Sequence, residues 1–206
     1  KTDKFKYGIY KKPTDPTSRG LSFVDITMDA KLEGKGLELF YVSDIFALYL
    51  AFIEGGAQIV IPGDNQKEQT YFLSYNGSNK RKLRYISRYM RERGWVDDSS
   101  VRSLRRFIDN NPDKQREIFS YSPSYIYFTV TDHPPVGVNN IPLTDHRSIA
   151  TDRGYYKQKG LISYVVAKKP YLNDEGQIKR RPFSQFFLDQ DTGGAIKGKA
   201  RVDLYF

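Results

Sequence analysis

The sequence predicts a mainly β protein with a few helices, and three observations carry that prediction. Sixteen Tyr and thirteen Phe supply the large rings that pack well on a pleated, half-buried surface. Sixteen Gly and ten Pro punctuate the chain with turns at short intervals. Apolar residues at helical spacing are confined to a few short stretches before residue 120. A hydrophobic content of 39% is enough to build a core, which excludes wholesale disorder.

In chain order, Lys6–Tyr10 reads as an entry strand, followed by the turn-rich Lys11-Lys12-Pro13-Thr14-Asp15-Pro16. Leu37–Val42 alternates as a strand, and Asp44 can cap a short helix over Ile45–Phe52. Glu54-Gly55-Gly56-Ala57 predicts a sharp turn, Gln58–Ile61 a strand, Pro62-Gly63-Asp64-Asn65 a hairpin turn and Thr70–Tyr75 its return strand. Two helices are expected next. One carries Leu83, Ile86 and Met90 on a face and stops at Gly94; the other starts after Ser99 or Ser100 and buries Val101, Leu104, Phe107 and Ile108. A short helical piece at Asp113–Phe119 precedes the Pro123-Ser124 break. Beyond it come short strands at Tyr125–Thr131, Arg147–Ala150, Leu161–Ala167, Phe183–Leu188 and Val202–Phe206. This change of texture sets the expected domain boundary, with residues 1–120 a β-rich domain carrying the helices and residues 121–206 a second domain.

The net charge of +9 implies attraction to a polyanion, whether nucleic acid, an anionic membrane face or an acidic wall polymer. Ten Lys/Arg against three Asp/Glu fall between Lys80 and Arg106. That stretch is either an interaction surface or the solvated face of two amphipathic helices. The absence of cysteine excludes disulfides and thiolate metal sites. No apolar run is long enough to make a membrane-spanning helix. The chain begins at Lys1 with neither Met nor an apolar leader, which reads as a processed chain or a fragment.

No phosphate loop, dinucleotide fingerprint or zinc spacing is present, and the two histidines, His133 and His146, sit in turn-like contexts. Acidic groups remain. Asp189, Gln190 and Asp191 lead from the apolar Phe186-Phe187-Leu188 into Thr192-Gly193-Gly194, and a further short strand carries Asp203. Asp152 lies at another strand end, with Asp145 a nearby competitor. A carboxylic acid kept protonated by burial or by a second carboxylate can protonate a leaving oxygen. The same pattern also fits an ordinary hairpin whose aspartates satisfy turn amides.

Several of these segments resemble a known family. Ile141-Pro142-Leu143-Thr144, Arg147-Ser148-Ile149-Ala150-Thr151-Asp152-Arg153, and Asp191-Thr192-Gly193-Gly194-Ala195-Ile196-Lys197-Gly198 followed by Asp203-Leu204-Tyr205 resemble the three-aspartate (3D) domain. Their order is similar to that of the membrane-bound lytic murein transglycosylase A family. Gly36-Leu37-Glu38-Leu39, Tyr41-Val42-Ser43-Asp44, Tyr75-Asn76-Gly77-Ser78-Asn79, Ile86–Gly94, Asn110–Pro112 and Pro123-Ser124-Tyr125 with Phe128 resemble it in register, so the likeness runs from about Tyr7 to Phe206. The chain departs from the family pattern at Glu54-Gly55-Gly56-Ala57, at Lys80, Leu83 and Ser87, and at Lys157-Gln158-Lys159-Gly160.

The resemblance implies a double-psi β-barrel from about residue 121, with an end of each domain absent from this chain, and a groove between the barrel and the smaller domain. It implies non-hydrolytic cleavage of the β-1,4 bond between N-acetylmuramic acid and N-acetylglucosamine, leaving 1,6-anhydro ends. Asp191 would be the single acid/base, and Asp152 and Asp203 its orienting, pKa-raising partners. Gly193, Gly194, Lys197, Tyr75 and Asn79 would contact the glycan. No metal or cofactor is implied. The expected partner is peptidoglycan rather than nucleic acid, and the expected state is a monomer. Its expected place is the periplasm, with outer-membrane attachment through an upstream anchor. A wall-binding module without turnover and a nucleic-acid-binding protein using Lys80–Arg106 are the alternatives.

Overall fold

The computed structural model describes residues 1–63, 68–134, 136–158 and 160–205. The expected turn at Asp64-Asn65, together with Pro135, Lys159 and Phe206, lies outside them. The chain divides into two compact units, Lys1–His133 and Pro134–Phe206.

In the first unit, β1 (Tyr7–Tyr10) pairs antiparallel with β2 (Glu38–Val42). Between them run two short helices, α1 (Pro16–Arg19) and α2 (Phe23–Thr27). Each starts at a legible signal. Asp15 accepts from the Thr17 and Ser18 amides ahead of a Pro at the first position, and Ser22 and Asp25 form a reciprocal capping box. The sequence reading of this region as strand and loop missed both helices.

Asp44 caps α3 (Ile45–Glu54) by accepting from the Phe46 and Ala47 amides at 2.9 Å. Gly55, at φ +80°, ends that helix and donates to the Ala51 carbonyl. An L side chain is disfavoured there, so the glycine has a backbone reason for its place. The chain turns straight into β3 (Gly56–Ile61), which pairs with β4 (Gln69–Ser78), and β4 pairs in turn with β5 (Ile126–Thr131). That last pairing moves the division of the chain beyond the expected 120/121: β5 adds to the first unit's sheet instead of opening the second.

The remaining helices are α4 (Ile86–Glu92), α5 (Val101–Asn110) and α6 (Gln115–Ser120), the last preceded by a 3-10 turn at Pro112–Lys114. Leu83 falls before α4 and is exposed. Val101 is also exposed, because α5 buries only the stripe of Leu104 and Ile108. Phe107 instead stacks on Trp95, with ring centroids 5.2 Å apart. Rings dominate the core of this unit. Phe23 packs against Phe52 at 5.3 Å and Phe119 at 5.4 Å, and Phe52 meets Tyr125 at 4.5 Å. Each such pair adds about 1 kcal/mol beyond its buried area.

The second unit is a curled half-barrel sheet in the order β7-β8-β6-β9. Its strands are β6 (Ser148–Thr151), β7 (Leu161–Leu172), β8 (Ile178–Asp191) and β9 (Val202–Leu204). β7 and β8 are longer than expected, because Asn173–Gln177 closes them into one hairpin. The Gln177 amide donates to Asn173 Oδ1 at 2.8 Å, and Gly176 takes φ +73°. The hairpin sends Phe187 and Asp189 inward and leaves the opposite face, including Ile162, Val166 and Ile178, exposed. No helix of the described residues is long and apolar enough to cross a membrane.

Candidate active site

The site is built on β6, the shortest central strand. β6 runs parallel to β8 and antiparallel to β9. Ala150 is register partner to Asp191 on one side and to Asp203 on the other. Two carboxylates therefore stand level across a single small residue, and Asp152 follows two positions later, after Thr151. Forty residues of sequence separation vanish in one sheet.

A β-bulge makes this register. Ser148 pairs with Leu188 and Ile149 with Asp189, but Ala150 pairs with Asp191, so Gln190 is the extra residue. Gln190 is buried, and its Oε1 accepts from Ser148 Oγ at 2.6 Å, while that hydroxyl accepts from the Thr144 amide at 2.7 Å. Gly137 makes room on the other side: a Cβ there would stand 2.3 Å from the Gln190 carbonyl oxygen. The bulge also separates the two acidic neighbours. Asp189 is buried and accepts from Thr151 Oγ1 at 2.6 Å, which gives it a structural task, whereas Asp191 is half-buried at the strand's end.

Asp152 ties two loops together. Its buried carboxylate accepts from the Gly154 amide at 2.9 Å within its own turn and from the Gly198 amide at 2.8 Å in the glycine-rich loop. Gly198 takes φ +101° to present that N–H. The two amides, in that order, hold the Asp152 carboxyl below its ordinary pKa, with a smaller contribution from the Lys197 ammonium 3.7 Å away. Asp203 is gripped differently. Arg201 donates to both of its oxygens, at 2.9 and 3.0 Å, and to the Ala195 carbonyl at 2.9 Å. Tyr156 adds a third tie, its hydroxyl donating to the Lys199 carbonyl at 2.6 Å.

Between these ties, Gly194 has open space where a side chain would be, and Gly193 lies against Ile196. Lys197 is exposed. In the first unit, Tyr75 on β4 is exposed as well. Asn79 departs from its expected part as a glycan contact. It is buried, its Nδ2 donates to the Leu21 and Pro123 carbonyls at 2.8 Å each, and its Oδ1 accepts from the Arg81 and Tyr125 amides. The side chain is a staple of the first unit. Sequence reasoning missed Ser148, Gln190 and Arg201. Only Arg201 leaves a usable signal, a cation two residues before Asp203 and within reach of its carboxylate. Among the described residues no group of three His, Asp or Glu side chains is placed to hold a metal ion.

The MltA-specific insert domain matches residues 1–129, and the 3D domain matches residues 147–206. The chain belongs to the MltA family. It is 27% identical to the membrane-bound lytic murein transglycosylase A of Vibrio cholerae and 28% identical to that of Escherichia coli K12. Each alignment takes in 98% of this chain and 53% of the relative, so the chain spans about half the length of these MltA proteins. Among solved structures, E. coli MltA with bound chitohexaose superposes with a TM-score of 0.85 at 26% identity, covering all of this chain and 59% of that one. The Agrobacterium tumefaciens membrane-bound lytic murein transglycosylase, at 24% identity and a TM-score of 0.80 over 62% of its chain, shares the fold.

Proposed function

We propose that this chain carries the chemistry of a peptidoglycan lytic transglycosylase, with Asp191 as its single acid/base. The observation that supports this most is the bulge-made register, in which Asp191 and Asp203 flank Ala150 and Asp152 follows on the same strand's exit. Membership of the MltA family and the chitohexaose bound by the E. coli relative support a glycan substrate.

In this reading, protonated Asp191 gives its proton to the glycosidic oxygen between N-acetylmuramic acid and N-acetylglucosamine. The bond from C1 to that oxygen breaks as the sugar gains oxocarbenium character. The Asp191 carboxylate then takes the proton of the muramyl C6 hydroxyl while O6 bonds to C1, leaving a 1,6-anhydro end. No water enters, so one carboxyl group cycles where a hydrolase needs two. The charge on Asp203, and that on Asp152, disfavour ionisation of Asp191 and keep its proton available. The Gly154 and Gly198 amides favour the anionic form of Asp152, and Arg201 fixes the position of the Asp203 carboxylate. Gly193 and Gly194 leave the backbone open to a sugar, and Lys197 contributes an anion contact; in the first unit, Tyr75 offers an exposed ring on which a sugar can stack. The part carrying the aspartates is the catalytic barrel domain, and the envelope side facing the periplasm is where the substrate lies.

The test is to incubate the chain with purified sacculi and read the products by mass spectrometry. Anhydro-muropeptides are expected from the wild type, and Asp191→Asn should lose them with an unchanged urea midpoint. Reducing-end products, or full activity in Asp191→Asn, would overturn the assignment.

A further inference from the structure

A dense charge feature outside the aspartate site is the segment Lys80–Tyr85. It is neither helix nor strand, every residue in it is exposed, and four of its six residues are cationic. Among the described residues none of these four makes an ion pair. Elsewhere in the same unit Arg88 pairs with Glu92, Arg93 with Glu117, Arg105 with Asp44 and Arg116 with Asp29, while Arg91, Arg102 and Arg106 are exposed singly along α4 and α5.

The segment is also held in place. Asn79 anchors its start through the four bonds already described. Lys80 sits at φ +60°, a left-handed conformation that costs a lysine free energy. Arg81 Nε donates to the Gly20 carbonyl at 2.6 Å, Arg84 lies 5.6 Å over the Tyr121 ring, and the Ile86 amide donates to Tyr49 Oη at 3.3 Å. The two arginines are thus spent on fixing the strap, and the ammonium groups of Lys80 and Lys82 are left facing solvent. A strap of like charges fixed against its own repulsion gains from an external anion, and fixing it beforehand lowers the ordering cost of binding.

We infer that Lys80 and Lys82 form a docking strap for the carboxylates of the peptide stems on a peptidoglycan strand. The inference rests on the proposed substrate and adds a preference for peptide-bearing over bare glycan. Ammonium point charges suit scattered carboxylates, whereas ordered phosphate recognition favours the bidentate fork of arginine, which is occupied here. Tyr85 is the only ring in the strap, too few for base stacking along a nucleic acid.

Sedimentation tests this with the whole chain carrying Asp191→Asn, so that binding is read without turnover. The materials are intact sacculi and chitin, a β-1,4 glycan of N-acetylglucosamine that bears neither stem peptides nor carboxylates. Adding Lys80→Gln and Lys82→Gln should weaken binding to intact sacculi by about two- to thirtyfold, as expected for two exposed ion pairs. It should leave binding to chitin unchanged, and salt at about 0.3 M should abolish the difference on sacculi. Equal binding of both variants to intact sacculi overturns the strap, as does an equal loss on chitin or tighter lysine-dependent binding to a DNA oligonucleotide. Failure of the wild type to release anhydro-muropeptides removes the proposed chemistry but leaves this binding result standing.

Discussion

Asn79→Ala offers the sharpest test of what the first unit's buried amide does. The substitution removes two donors and one shared acceptor, and the four backbone groups they served have unequal alternatives. The Arg81 amide is at an exposed residue and can turn to water. The Pro123 carbonyl keeps a bond from the Phe23 amide at 3.3 Å. The Leu21 carbonyl and the amide of fully buried Tyr125 have no such reserve. Two orphaned groups at about 1–3 kcal/mol each, less the cost of ordering the lost side chain, give a destabilisation of about 3 kcal/mol. That corresponds to a Tm lower by roughly 6–12 °C. The single tryptophan, Trp95, stacks on Phe107 in this same unit, so urea unfolding followed by its fluorescence reads the right transition. A change below about 1 kcal/mol with weakened glycan binding would refute the staple and restore Asn79 as a substrate contact.

Other expected outcomes bear on the second unit and on pH. Ser148→Ala should destabilise by about 1–3 kcal/mol by orphaning the Gln190 oxygen, and, by loosening the bulge, it should lower anhydro-muropeptide release more than Asp189→Asn does. A Cβ on Gly137 must displace backbone, so Gly137→Ala should cost about 1–3 kcal/mol in a urea titration of the second unit. Gly194→Ala, with open space around it, should change stability by less than about 0.5 kcal/mol; if a sugar approaches there, chitohexaose affinity should fall. Hydrogen bonds from Lys31 and Ser22 lower the Asp25 pKa to about 2 from a reference of 3.8. Its contribution to stability is therefore complete above pH 4 and is lost as pH falls through about 2. Asp25→Asn should flatten the acid limb of the stability curve across that window, and an unchanged limb would discount the capping box as its cause.

Much of the local structure was legible because its causes are local. The cap at Asp44, the turn at Gly55 and the apolar spacing of Leu104 and Ile108 act within a few residues, and all three appear where expected. The capping box of Ser22 and Asp25 is equally local. Leu83 precedes α4, and Val101 opens α5 at an end whose face is exposed. The boundary after residue 120 fell too early, since nothing in Tyr125–Thr131 says which strand it will pair with. At the site, the motif around Asp191 marks the glycine-rich loop whose Gly198 amide ties it to Asp152, whereas the burial of Asn79 leaves no sign among its turn residues.

The sequence by itself determined the family, the mainly β composition with short capped helices, and the identity of three aspartates at strand ends. Those are properties of residue types at short spacing, which the unfolded chain already possesses. The tertiary structure alone decided that Gln190 is extruded, that Ala150 faces Asp191 and Asp203 at once, and that Arg201 and two glycine amides fix the partner carboxylates. Register between strands is set by the sum of side-chain fits across the sheet and by buried polar groups that must be satisfied. Such a sum is not carried by any one segment, which is why the aspartates were named from the chain but their alignment was not.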